Sequence, residues 1–253
     1  MRARELTSHA DLLAASGNDA FVRYDIPPDF GGPAWTLGGA VLALRRTHTR
    51  RLGLAVLGPP PDVEALVAQV VADGSLTGLG LRHVTVERGS LHAVAEHLPL
   101  GTGNEWEWMY AATAPARVPA EDRLVPLGEA DLPEIAELLA QANPRTDARP
   151  FQYPHQRWVG VRDDAGRLAA CGVSEPNVAG HPTLSGITVR PSQRGRGLLG
   201  LAVTAHLTRA AVRASGVCTL GMYSDNDVAR RVYHGLGYTG DHLWSSRRVL
   251  PGG

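Results

Sequence analysis

Ile187-Thr188-Val189-Arg190-Pro191-Ser192-Gln193-Arg194-Gly195-Arg196-Gly197-Leu198-Leu199-Gly200 runs from an apolar, strand-like stretch through a glycine- and arginine-rich loop into the start of a helix. Glycines let a backbone turn sharply and aim successive N–H groups at one point. A helix start adds unpaired donors and the positive end of the dipole. Arg194 and Arg196 are expected to bring guanidinium charge to the rim. The physics describes a cradle for a diphosphate. It is not a Walker loop, because no Lys-Ser/Thr pair follows the glycines. The spacing Gly195-x-Gly197-x-x-Gly200 fits a dinucleotide fingerprint literally. However, the next strand pattern ends in Met222-Tyr223 instead of the acid that a ribose would need.

One helix pattern and one strand pattern later comes Asp225-Asn226-Asp227-Val228-Ala229-Arg230-Arg231-Val232-Tyr233-His234-Gly235-Leu236-Gly237-Tyr238. Asn226 stands where a helix N-cap belongs. Ala229, Val232, Tyr233 and Leu236 fall on one face of that helix. Arg194-x-x-Gly197 in the loop, followed by Asn226, Ala229, Tyr233, Gly237 and Tyr238, resembles the signature of the GNAT superfamily of N-acetyltransferases. Leu199 departs from it, occupying a place usually held by Gly or Ala, with Gly200 next. The resemblance covers residues 123–250.

What the resemblance implies attaches residue by residue. The strand carrying Ile187, Thr188 and Val189 is expected to splay from its neighbour and bond the pantetheine arm of acetyl-CoA. The Val189 N–H would polarise the thioester carbonyl. Backbone N–H groups of Arg194, Gly195, Arg196, Gly197, Leu198 and Leu199 would hold the pyrophosphate. Asn226 and Ala229 would line the channel, and Tyr233 would protonate the departing thiolate. An amine must lose a proton to react, yet residues 184–189 contain no carboxylate. Candidate bases are Glu175, His181 and Asp225, each with a plainer reading: a solvated turn residue, a strand-end polar group and a helix cap. A water relay stays open beside them. In this family the segment 143–153 is where acceptor choice is expected.

Residues 111–120 are poor in large apolar side chains and read as a linker. They divide the chain into an N-terminal part, 1–118, and a catalytic part, 119–253. The catalytic part reads as strands at 123–127, 158–162, 167–174, 184–189, 217–223 and 242–249, with helices at 130–141, 198–213 and 227–236. This is a mixed, mostly antiparallel sheet flanked by helices. From residue 52 the N-terminal part repeats strand, helix, strand, helix, strand, which suggests a degenerate duplicate of the second half. Its counterpart of the glycine loop is Gly58-Pro59-Pro60-Pro61-Asp62. Prolines donate no N–H, and Asp62 puts negative charge where phosphate would lie. That half is therefore expected to pack against the catalytic half and shape the acceptor pocket. The alternating stretch Glu105-Trp106-Glu107-Trp108-Met109-Tyr110 reads as a pocket wall or as a half-buried strand with Glu outward.

Composition narrows the rest. The 253 residues are 43% hydrophobic and 20% charged, enough to bury a sizeable core. All 25 basic residues are Arg, balanced by 25 acids, so bulk charge attracts neither nucleic acid nor an anionic membrane. The lack of Lys excludes Schiff-base chemistry. Two cysteines, Cys171 and Cys218, sit in apolar runs, so neither a disulfide scaffold nor a metal site is expected. No apolar run reaches the roughly 18–20 residues of a membrane span, and the first residues contain no apolar signal core. A cytoplasmic location is expected. The favoured function is acetyl transfer from acetyl-CoA to a small-molecule amine. Two rivals are an aminoacyl-tRNA donor, which a surface cluster of Arg45, Arg46, Arg50 and Arg51 would favour, and a non-catalytic module that binds CoA or a metabolite.

Overall fold

The structure is a computed structural model that describes residues 2–29, 32–47, 51–195 and 198–251. The first half holds β1 (Arg4–Leu6), α1 (His9–Ala15), α2 (Ala20–Asp25), β2 (Ala34–Leu37), β3 (Ala40–Arg46), β4 (Leu52–Leu57), α3 (Pro60–Ala72), β5 (His83–Glu87), α4 (Leu91–Ala95) and β6 (Leu100–Ala111). The second holds β7 (Leu124–Leu127), α5 (Leu132–Ala142), β8 (Arg157–Arg162), β9 (Leu168–Pro176), β10 (Pro182–Val189), α6 (Leu199–Ser215), β11 (Cys218–Tyr223), α7 (Asp227–Gly235) and β12 (Thr239–Val249). The halves repeat one order of elements, with the loop 143–156 standing where α2 stands in the first. Local chemistry sets the ends: Ser8, Asp19 and Asn226 cap α1, α2 and α7 through their side chains, and Gly216 in the left-handed region closes α6.

The described strands form one twelve-stranded sheet in the order β1-β2-β3-β4-β5-β12-β6-β11-β10-β9-β8-β7. That order is the same from either end once β1–β6 are matched to β7–β12. Only β4–β5 and β10–β11 are parallel, so the sheet is mixed and mostly antiparallel, as the sequence predicts. The halves are not simply consecutive, however. Each has lent its last strand to the other: β12 lies between β5 and β6, and β6 between β12 and β11.

Polar ties reinforce the exchange. Glu107 on β6 is 3% exposed, and Arg230 of α7 donates to it twice, through Nε at 2.8 Å and Nη2 at 2.5 Å. Glu107 is therefore buried against the second half's last helix, not an outward, solvated acid. His242 on β12 meets Asp19 at 3.0 Å and Glu87 at 3.2 Å, both from the first half. Phe21 packs between Trp108 of β6 and Trp244 of β12, edge-on to the first with centroids 5.4 Å apart and tilted against the second at 4.7 Å. Both tryptophans are fully buried.

Two predictions follow from this central seam. An added Cβ at Gly103 would lie 1.8 Å from the Ser246 carbonyl oxygen on β12, whereas one at Gly89 meets nothing within 4 Å. Gly103→Ala should cost about 2–3 kcal/mol of stability by overpacking, while Gly89→Ala should melt within a degree or two of the parent; thermal unfolding checks both. Burial pulls the His242 pKa down, but hydrogen bonds to Asp19 and Glu87 outweigh it and carry the value up to about 9. The folded state thus holds its proton more tightly than the unfolded chain, whose histidine titrates near 6.5. Stability from this contact should be complete below pH 6.5 and lost as pH rises through 9. Denaturant midpoints across pH 6–10 should fall in the parent and lie flatter in His242→Gln.

Candidate active site

β10 and β11 start out as a parallel pair, Thr183 with Thr219 and Leu184 with Leu220, and then part. A bulge on the β9 side between Ser185 and Thr188 accompanies the parting. Gly186 makes it possible: its φ is +62°, and an added Cβ would lie 3.0 Å from Ala148 Cβ and 3.2 Å from the Trp158 ring. Thr188 holds the bulge by donating to the Gly186 carbonyl at 3.0 Å, and Asn143 donates to the Thr188 hydroxyl at 3.2 Å. The Arg190 N–H bonds Ala169 on β9, so by alternation the Val189 N–H points the other way, toward the side β11 has left. In the first half β4 and β5 remain paired from Gly53 with His83 through Val56 with Val86. There, Pro59 precedes α3, and the Asp62 carboxylate accepts from the Gly39 N–H at 2.8 Å.

The parting opens into a cleft of about 490 Å³. Ser185, Gly186, Ile187, Met222, Tyr223, Asn226 and Tyr233 line it from the second half, and Asn143, Arg145 and Arg149 from the loop after α5. The first half supplies a further wall with Asp25, Arg45, Trp106 and Trp108. Tyr233 is 8% exposed, and burial pushes its hydroxyl up to about 12. Asn226 caps α7 by accepting from the Ala229 N–H at 3.1 Å. Ala229 packs against the core beneath α6.

The loop before α6 differs from expectation in two respects. The Arg194 guanidinium does not stand free at the rim: Nε donates to the Val189 carbonyl at 3.2 Å and Nη2 to the Ala142 carbonyl at 2.9 Å. Ala142 ends α5, where helix carbonyls lack partners, and the arginine supplies one. Leu199 turns its side chain into the core, 3% exposed, so it does not block the approach to its own N–H. The close helix–strand contact is at Gly200, whose added Cβ would lie 3.3 Å from Val189 Cγ2. Gly195 turns with φ +70° and Leu198 with φ +54°. Arg196 and Gly197 lie outside the described residues.

The candidate bases separate cleanly. Glu175 is 2% exposed, not a solvated turn residue. It lies behind the cleft, accepting from the Ser185 hydroxyl at 2.8 Å and from Gln156 Nε2 at 2.5 Å. His181 is not among the residues lining the cleft; it packs edge-on against Tyr24, centroids 5.3 Å apart, and burial lowers its pKa. Asp225 does not cap α7. Arg145 bonds it at 2.7 Å and holds its carboxyl below the usual range, which makes it a weaker base. Sequence reasoning missed Ser185, because only the register of β9 against β10 brings it to Glu175. The Gly186 bulge did leave a signal, a lone glycine inside a strand pattern.

Residues 158–249 match the family model described as FR47-like protein. Solved GNAT proteins superpose on nearly the whole chain. The chain has the GNAT fold. A GNAT-family protein from Novosphingobium aromaticivorans is 20% identical, covering 95% of this chain and 97% of its own, with a TM-score of 0.53. A GCN5-related N-acetyltransferase from Kribbella flavida is 19% identical over 95% of each chain, TM-score 0.52. An acetyltransferase from Colwellia psychrerythraea is 14% identical over 99% of this chain and 100% of its own, TM-score 0.52. No curated protein matches. Two of the four arginines whose surface cluster would favour a tRNA donor are not seen on a common surface among the described residues of this GNAT-fold chain. Arg45 is buried, and Arg50 lies outside the described residues. Among the described residues no helix is long and apolar enough to cross a membrane, and no His, Cys, Asp and Glu side chains gather as a metal site.

The bulge gives a direct test. Gly186→Ala forces a left-handed residue and a crowded Cβ, and should lower stability by about 1–3 kcal/mol. A melting temperature equal to the parent's would mean that the bulge needs no glycine.

Proposed function

We propose that the protein transfers an acyl group, acetyl first among candidates, from acyl-CoA to the amine of a small molecule. The parting of β10 from β11 beside Tyr233 carries this reading. Bound in the gap, acyl-CoA would supply the activated thioester. Ile187 lines the gap and the Val189 N–H is directed where it would hold charge developing on the thioester oxygen, while by the same alternation the backbone of Thr188 faces β9 and is not available to the pantetheine arm. N–H groups of Arg194, Gly195, Leu198 and Leu199, leading into α6, would suit the pyrophosphate. Gly200 lets that helix start lie close to the strand.

Each proton has a carrier in this chain. The Ser185 hydroxyl lines the cleft and donates to Glu175, so a proton leaving the amine can pass to Ser185 Oγ while the serine's own proton passes to Glu175 Oε1. The nitrogen forms the new C–N bond as the C–S bond breaks. Tyr233, protonated throughout the physiological range, gives its hydroxyl proton to the departing sulfur and regains one from solvent. The acceptor enters between the loop 143–153 and the tryptophans of β6. The first half serves as the wall of the acceptor pocket, its own β4–β5 pair unparted.

Isothermal titration of the purified protein with acetyl-CoA should give micromolar binding. Tyr233→Phe should keep that affinity and slow release of free CoA by about 100-fold with an accepting amine. Glu175→Gln should slow the reaction by a similar factor while keeping the affinity for acetyl-CoA. Failure to bind any acyl-CoA would overturn the proposal.

A further inference from the structure

The cleft continues past the site of transfer into the first half, where two polar atoms are buried without partners. Arg45 on β3 is 6% exposed. Its Nη2 lies 3.3 Å from Asp25 Oδ1, its Nε contacts the Arg46 carbonyl at 3.5 Å, and its Cζ stands 4.9 Å above the Phe21 ring. Its Nη1 has no hydrogen-bond partner. His83 Nδ1 on β5 is likewise buried and unpartnered. Both residues line the cleft, together with Arg51, Thr85 and Asp25. A buried guanidinium N–H left without an acceptor is costly, and native interiors seldom tolerate one.

The charge at this end favours an anion. Arg45 and Arg51 bring two positive charges against the one carboxylate of Asp25. That carboxylate is already engaged, by Arg45 at one oxygen and by Trp108 Nε1, at 3.1 Å, at the other. It is poorly placed to receive a second cation. His83 is held below its ordinary pKa by burial, then by Arg51 and Arg248, so it adds a neutral polar atom rather than charge. Between this end and Tyr233 the wall is aromatic, formed by Trp106 and Trp108. Trp106 is fixed by donating to Ser246 Oγ at 2.8 Å, and Ser246 in turn meets Thr85 Oγ1 at 2.8 Å.

We infer that the acceptor is an amine that also carries a carboxylate, separated from the nitrogen by an apolar spacer, and that Arg45 receives the carboxylate through Nη1. This rests on the acyltransferase reading and names its substrate class. The carboxylate supplies the missing acceptor, the spacer lies along the tryptophans, and the amine is presented toward Ser185. Arg45 thereby selects the acceptor without touching the acyl donor.

The test is an acylation assay with acetyl-CoA over paired amines, each amino acid beside its own carboxamide. The set spans aliphatic and aromatic side chains and ω-amino acids of increasing length. Carboxylates should exceed their carboxamides in kcat/KM by about tenfold or more, the scale of one charge-assisted hydrogen bond. Arg45→Gln should erase the difference. Because that change strands Asp25 beside an apolar wall, Asp25→Asn/Arg45→Gln is measured too. It removes both charges together, and should fold and bind acetyl-CoA as the parent does while losing the preference. Carboxamides acylated as fast as carboxylates, a preference that survives in the double variant, or no carboxylated amine acylated at all would each overturn the inference. Loss of acetyl-CoA binding by the parent would instead be a failure of the acyltransferase reading.

Discussion

Everything in this molecule hangs on the antiparallel pairing of β6 with β12 at the middle of the sheet. Each is the last strand of its own half and pairs into the other: β6 lies against β11 of the second half, and β12 against β5 of the first. Unpaired strand edges are costly to leave in an interior. Each half therefore completes its sheet only by accepting the other's strand, and the two share one core around Phe21, Trp108 and Trp244. The halves cannot move apart without exposing that core.

This pairing is also what builds the site. β11 is held on one side by β6 over its full length, from Cys218 with Ala111 to Tyr223 with Trp106, so it can release β10 on the other. The released edge and the Gly186 bulge form the gap. The first half contains the same strands in the same order, but its β4 and β5 stay joined and its α3 opens on prolines and an aspartate. One topology thus gives an open site in one copy and a wall in the other. The side chains that β6 carries into the centre, Trp106 and Trp108, then face the cleft of the opposite half.

Buried charge follows the same seam. Glu107 with Arg230, and His242 with Asp19 and Glu87, link elements far apart in the sequence. Pairs of this kind add little net stability, but removing one partner leaves an uncompensated buried charge. They specify which strand lies beside which. Arg230 also orients α7, the helix that presents Asn226 and Tyr233 to the cleft.

The sequence by itself determined the fold family, the order of elements from residue 52 onward and three of the residues that line the gap, Ile187, Asn226 and Tyr233. These are written in local chemistry: the glycines after residue 189, the Asn226 cap and the helical spacing of Ala229 and Tyr233. It also suggested, from residue 52 onward, that the first half repeats the second. Strands β2 and β3 escaped it because they are buried on both faces, and an unbroken apolar run has no period to read. Only the tertiary structure decided that the halves exchange strands, that Ser185 meets Glu175, that Arg194 serves the end of α5, and that Arg45 is buried where the cleft runs into the first half. Each of these joins groups distant in the chain, and no local pattern constrains such a pairing. Register, curvature of the sheet and the competition for buried partners settle it once the whole chain has folded.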